Sequence, residues 1–164
     1  MKGMVAYDSV NGNTRQVAEA IAEVLKDGGL DVEIFSVKDR APAEVTGDVL
    51  FIGSPTRGGK MTKPTKVFVE GLNAEVWRGK EVIAFDTLGP LSKDAERRRK
   101  QLESIDVGKN AATTIRNAGE ERGINFHPQL LHFAVVGMWG PLADDALDKA
   151  REVAREIMVG LRKP

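Results

Sequence analysis

Tyr7-Asp8-Ser9-Val10-Asn11-Gly12-Asn13-Thr14 gathers hydroxyls, amides and a glycine into one short loop. Before it, Gly3 to Tyr7 is a short apolar run of strand character. After it, Val17, Ala18, Ile21, Val24 and Leu25 recur at helical spacing as far as Gly28-Gly29. The loop therefore joins the carboxyl end of a strand to the start of a helix. A helix start leaves about four N–H groups unpaired and carries roughly half a positive charge, so it stabilises an anion. Ser9 and Thr14 can add hydroxyl donors, and the loop contains no lysine or arginine until Arg15. Such a loop can hold a terminal phosphate without an ion pair. The same residues also serve a purely structural reading, in which Ser, Asn and Thr cap the helix and Asn11-Gly12 turns the chain.

Two other phosphate motifs are excluded. Gly53 to Gly58 has the glycine spacing of an ATP-binding P-loop, but Gly59 stands where its lysine belongs. No Gly-x-Gly-x-x-Gly occurs to cradle a dinucleotide.

Working outward, strand-like runs recur at Asp31–Val37, Asp48–Ile52, Glu81–Phe85 and Leu130–Val136. The run at 48–52 reads as buried on both faces. Helical patterns lie between them: one from Pro64 to about Leu72, one through Leu91, Ala95 and Leu102, and one through Ala111, Ala112, Ile115 and Ala118. The last helix carries Leu142, Ala146, Leu147, Ala150, Val153, Ala154, Ile157 and Leu161 on one stripe. Asp144 and Asp145 suit its positive end, and Arg162 and Lys163 its negative end. Strands alternating with helices predict an α/β sandwich, a parallel sheet with right-handed crossovers and helices on both faces. In such sheets ligands bind beyond the carboxyl ends of the strands, which directs attention to the loops after residues 7, 53, 86 and 137.

At 164 residues, with 41% hydrophobic and 29% charged side chains, the chain fits a single domain, 1–164. Lysine plus arginine equals aspartate plus glutamate at 24 each, so no global field draws it to nucleic acid or an anionic membrane. The absence of cysteine excludes disulfides, thiolate metal clusters and a thiol nucleophile, so redox chemistry needs a bound organic cofactor. With no run of 18 apolar residues and no leader pattern, the expected location is the cytoplasm.

Tyr7, Ser9, Gly12 and Thr14, placed directly after the first strand, match the aromatic-x-Ser/Thr-x-x-Gly-x-Thr phosphate signature, and here the chain resembles the flavodoxin family. The resemblance implies the flavodoxin-like three-layer sandwich with strand order 2-1-3-4-5. It also implies an FMN phosphate held by the hydroxyls of Ser9 and Thr14 and the amides of Asn11, Gly12, Asn13 and Thr14, with Val10 beside them. Gly53-Ser54-Pro55-Thr56-Arg57-Gly58-Gly59-Lys60 resembles the family's Gly-Ser-Pro-Thr loop, especially in the flavodoxin domains of A-type flavoproteins. By that resemblance Ser54, Pro55 and Thr56 reach the phosphate–ribityl chain, while Arg57, Gly58 and Gly59 lie beside the flavin ring. Thr87, Leu88 and Gly89 occupy the place of the family's second ring loop. Where typical members stack aromatic side chains on the ring, this chain offers Arg57 and Leu88.

From Ser54 to Val69 the chain carries Arg57, Lys60, Lys63 and Lys66 and no acid, whereas typical members are acidic around the flavin. Cations facing the ring would favour reduced, anionic flavin. Lys63 and Lys66 read as a solvated helix face, and Arg57 as the cation closest to the chemistry. Trp139, at the carboxyl end of the fifth strand, can shield a flavin edge, form a partner surface or cover the final helix, and the last is expected; His132 is expected to be a packed or edge residue, and His127 to lie in a loop. Residues 93–128 exceed what one crossover helix needs and suggest a lid or a homodimer contact.

The expected function is electron transfer through FMN to a redox partner protein or a small-molecule oxidant or reductant, with no side chain acting as catalyst and no metal. Two alternatives stay open: an NAD(P)H-dependent flavin or quinone oxidoreductase, or a protoporphyrinogen-oxidase-like enzyme of the same fold; and a non-redox domain binding a phosphorylated ligand or a protein.

Overall fold

In the computed structural model, which describes residues 1–161, five parallel strands form one sheet in the order β2-β1-β3-β4-β5. They are β1 (Lys2–Tyr7), β2 (Asp31–Ser36), β3 (Val49–Pro55), β4 (Glu81–Leu88) and β5 (Leu131–Ala134). The expected sandwich and its strand order are borne out. β3 lies between β1 and β4 and is buried at every position, in keeping with its apolar run Val49–Ile52.

Alternate residues of each strand feed two cores. On one face α1 (Asn13–Asp27) and the C-terminal α6 (Ala146–Leu161) cover Val5, Val49, Phe51, Ile83, Phe85 and Phe133. On the other, α2 (Lys63–Glu70), the single turn α3 (Ala74–Trp77) and α5 (Ala111–Glu121) cover Met4, Leu50, Ile52, Val82 and Ala84. The remaining helix, α4 (Ala95–Asp106), buries no residue at all. At the amino ends of the strands Asp48 accepts from the Lys2 amide (2.7 Å) and from Lys80 Nζ (3.3 Å). These bonds hold its carboxyl below the usual carboxylate range and clamp β1 to β3.

Several expectations need correction at their boundaries. β5 ends at Ala134, because Val135 leaves the parallel ladder to bridge Leu142 in antiparallel fashion. Leu142 therefore packs into the core from a loop, and α6 starts only at Ala146, just beyond Asp144 and Asp145. Arg162 and Lys163 lie outside the described residues. The turn α3 and a 3-10 turn at Pro42–Glu44 carry no periodic signal because each is too short to show one.

Candidate functional site

The carboxyl ends of β1, β3 and β4 meet at a cleft lined by Ser9, Asn11, Asn13, Thr14, Thr56, Arg57 and Thr87, among others. Its floor is the start of α1. Gly12 (φ 90°) is the N-cap, in a left-handed conformation that costs a residue with a Cβ about 1–2 kcal/mol. Gly12 has no side chain to spend on the helix, and the job passes to Ser9, whose Oγ accepts from the amides of Gly12 (3.1 Å) and Arg15 (3.4 Å). With both bonds accepted, the Ser9 O–H is left to donate outward. The amides of Asn11, Asn13 and Thr14 have no partner among the described residues. Three unpaired amides, a free hydroxyl proton and the helix dipole converge on one small volume, a donor set suited to an oxyanion. Thr14 is buried, and its hydroxyl meets that of Thr87 at 2.9 Å, fixing the helix start to the end of β4.

A buried polar network lies behind this loop. Asp8, 3% exposed, accepts from the Thr62 hydroxyl (2.6 Å) and faces Lys38 Nζ (3.6 Å). Ser54, fully buried, accepts from the Thr62 amide (3.0 Å) and donates to the Pro55 carbonyl (2.9 Å). Thr62 also pairs with the Thr65 hydroxyl at 2.8 Å. The network ties the first loop to the loop after β3. It spends the Ser54 hydroxyl inside the protein, so Ser54 supports the cleft rather than lining it.

Beyond β3 the chain makes a tight turn. Arg57 and Lys60 exchange backbone hydrogen bonds (2.8 and 3.2 Å) across Gly58 (φ 58°) and Gly59 (φ 79°). Positive φ at both central positions defines the type I′ turn, which glycine fits without strain. A Cβ on Gly59 would also stand 3.2 Å from the Cβ of Lys109. Gly59→Ala is therefore expected to cost about 1–2 kcal/mol in stability, read as a lower denaturant midpoint. An unchanged midpoint would mean the turn relaxes freely.

Against this turn lies a second cleft, lined by Thr56, Gly58, Gly59, Leu88, Gly89, Pro90 and Leu91 and roofed by Lys100, Gln101, Ser104 and Ile105 of α4, with Lys109. Thr56 and Gly89 line both clefts, so the two adjoin: an anion-binding end at α1 and a flatter, more apolar end under α4. The topology explains the roof. α4 departs from the loop after β4, and α5 begins back at the same edge, where the Ala111 amide donates to Thr56 Oγ1 (3.0 Å). A helix with both ends at one edge spans that edge instead of crossing the sheet, and so buries nothing.

Thirteen of the fifteen residues expected at the site line these clefts: Ser9, Val10, Asn11, Asn13, Thr14, Pro55, Thr56, Arg57, Gly58, Gly59, Thr87, Leu88 and Gly89. Gly12 shapes the loop, and Ser54 is turned away. The loop after residue 137, one of the four singled out as ligand-binding loops, contributes Gly137 and Met138 with Val135 before it, and α4, inside the stretch 93–128 read as a lid or homodimer contact, contributes a roof; these residues are not individually expected because no motif marks them. Trp139 does not cover the final helix. It is 69% exposed, and its carbonyl accepts from Asn13 Nδ2 (3.3 Å), which places it at the mouth of the first cleft. Lys63 and Lys66 are exposed on α2, as expected. His132 sits in the edge strand with Nδ1 2.9 Å from Asp86, and His127 lies in a loop. No described helix is long and apolar enough to cross a membrane.

A family model for the flavodoxin domain matches residues 4–120. Among curated proteins, a flavodoxin of Aquifex aeolicus is 32% identical over 93 residues, 54% of this chain and 50% of its own. An NAD(P)H dehydrogenase (quinone) of Archaeoglobus fulgidus is 26% identical over 100 residues, 45% of this chain and 52% of its own. A putative diflavin flavoprotein A 2 of Thermosynechococcus vestitus is 42% identical over 66 residues, 37% of this chain and 11% of its own, in keeping with the A-type likeness of the loops. The chain spans about half the length of the first two. Among solved structures, a flavodoxin from the domain Archaea superposes with a TM-score of 0.69 at 23% identity, covering 99% of this chain and 100% of its own.

Proposed function

Because the chain belongs to the flavodoxin family, whose members bind FMN, we propose that it holds FMN along the two adjoining clefts and carries electrons between redox partners. The observation that carries this is that the two clefts adjoin at Thr56 and Gly89. The donor set at the α1 end fits a phosphate, and the glycine turn with Leu88, Leu91 and Ile105 fits one edge and one face of a flat ring. When bound, the flavin supplies the one- and two-electron chemistry. The protein's part is to bind, orient and tune. Ser9 and the amides of Asn11, Asn13 and Thr14 take the phosphate, and Thr56 guides the linking chain. Arg57 lines the phosphate end, and Lys100 and Lys109 stand at the ring end, where positive charge favours the reduced, anionic form. Residues 1–164 act in this proposal as one domain, in the cytoplasm.

The cations at the ring end also suit an anionic nicotinamide cofactor, as an enzyme would need. The two roles separate in one experiment: protein loaded with FMN is mixed anaerobically with NADH and then NADPH, and the flavin absorbance is followed. A carrier keeps its oxidised spectrum for minutes and, once photoreduced, passes electrons to a protein acceptor. Bleaching by either nucleotide within seconds would replace the carrier with a reductase.

A further inference from the structure

We infer that the groove between α2 and α5 is a self-complementary surface through which two copies of this chain pair. The inference stands apart from the flavin reading. The two helices lie side by side on one face of the sheet. Each starts at the carboxyl edge, where Thr62 bonds to Asp8 and Ser54 and the Ala111 amide bonds to Thr56 Oγ1. Each then runs back toward the amino edge, where the chain enters the next strand. The helices are therefore parallel, and a groove of about 650 Å³ runs between them.

Charge is sorted along that groove. Lys60, Lys63 and Lys66 line the half nearer the carboxyl edge, and Glu70 and Glu121, each the last residue of its helix, line the other end. Val67, 61% exposed, stands between them, and Met61 and Ala118 add apolar lining. On other exposed helix faces charges four apart close on each other, Arg15 on Glu19 at 2.8 Å and Arg99 on Glu103 at 2.6 Å. Lys66 and Glu70 have the same spacing, yet none of the five charges of the groove has an ion-pair partner among the described residues. A surface with base at one end and acid at the other repels a like copy laid parallel and attracts one turned end for end, which is the arrangement of a twofold axis. The register follows from α2. Lys63 and Glu70 are equally spaced about the point between Lys66 and Val67. An axis through that point sets Lys63 of one copy against Glu70 of the other, twice, and brings the Lys60 end of each toward the Glu121 end of the other. Val67 then lies near the axis, where the two copies of it cover each other beneath the apolar stems of Lys66. An eight-residue helix is about 12 Å long, so the pairing belongs with small interfaces, and a dissociation constant on the order of 10–100 µM is expected.

The test is sedimentation velocity of the full chain, with and without FMN, from about 1 µM to about 1 mM. The parent is expected to pass from monomer to dimer over that range, and its pairing to weaken at least about fivefold between about 50 mM and about 500 mM salt. Lys63→Glu and Glu70→Lys each bring like charges together at two places, and each is expected to weaken pairing at least about tenfold. Mixed in equal amounts, the two variants restore both attractions, so a heterodimer of about the parent's affinity is expected. Both side chains are exposed, and circular dichroism should show the parent's melting temperature in each variant. A parent that stays monomeric up to about 1 mM, single variants that pair as the parent does, or a mixture that associates no more tightly than its components would overturn the inference. Pairing that persists in a chain that does not bind FMN would leave this surface standing and remove only the flavin reading.

Discussion

Replacing Asp86 by alanine is expected to destabilise the protein by about 3 kcal/mol or more, the usual cost of removing one partner from a buried, hydrogen-bonded charge. Asp86 is fully buried in β4, where one oxygen accepts from the Ala112 amide in the first turn of α5 (3.0 Å) and the other meets His132 Nδ1 of β5 (2.9 Å). The carboxylate therefore ties the central sheet to its edge strand and caps the positive end of a core helix. Alanine strands a helix amide and a ring nitrogen together, whereas asparagine keeps the shape and one acceptor and should lose less. For a chain of this length each kcal/mol lowers the melting temperature by about 2–4 °C, so Asp86→Ala should fall by about 6–12 °C. A denaturant midpoint shift at constant slope would confirm a stability effect. A midpoint within error of the parent would mean that neither bond contributes. Because α5 also presents the Ala111 amide to Thr56, loosening its start should disturb the site as well.

The parallel sheet, the two helix layers and most of the site were legible in the sequence because each rests on a local signal, whereas the strand order came only from the family resemblance. The run at 49–52 is apolar throughout, as a strand covered on both faces must be, and the phosphate loop is a contiguous motif between a strand and a helix. What escaped depends on tertiary placement. The periodicity of Leu91, Ala95 and Leu102 marks a helix near α4, yet nothing in it tells a buried face from a roof over a cleft; that follows from where α4's two ends are anchored. Trp139 is expected over the final helix because tryptophan is highly buried on average, but the Val135–Leu142 bridge closes a loop that holds it out into solvent. Ser54 matched its motif and still faces inward, because the Thr62 amide competes for its hydroxyl. A motif fixes which atoms are present; the network around them decides which way they point.

The second large effect concerns the phosphate. If the unpaired amides of Asn11, Asn13 and Thr14 and the Ser9 hydroxyl exist to hold it, much of the affinity must come from that end of the ligand. Hydrogen bonds to a charged group contribute about 1.5–3 kcal/mol each, so losing even two should cost about 100-fold or more in Kd. Riboflavin keeps the ring and the ribityl chain of FMN and lacks only the phosphate. Titrating the apo-protein with each, by quenching of flavin fluorescence, is the most direct test of the central claim. The expected result is saturable one-to-one binding of FMN, with riboflavin at least about 100-fold weaker. Equal affinities, or no saturable binding of FMN, would contradict it.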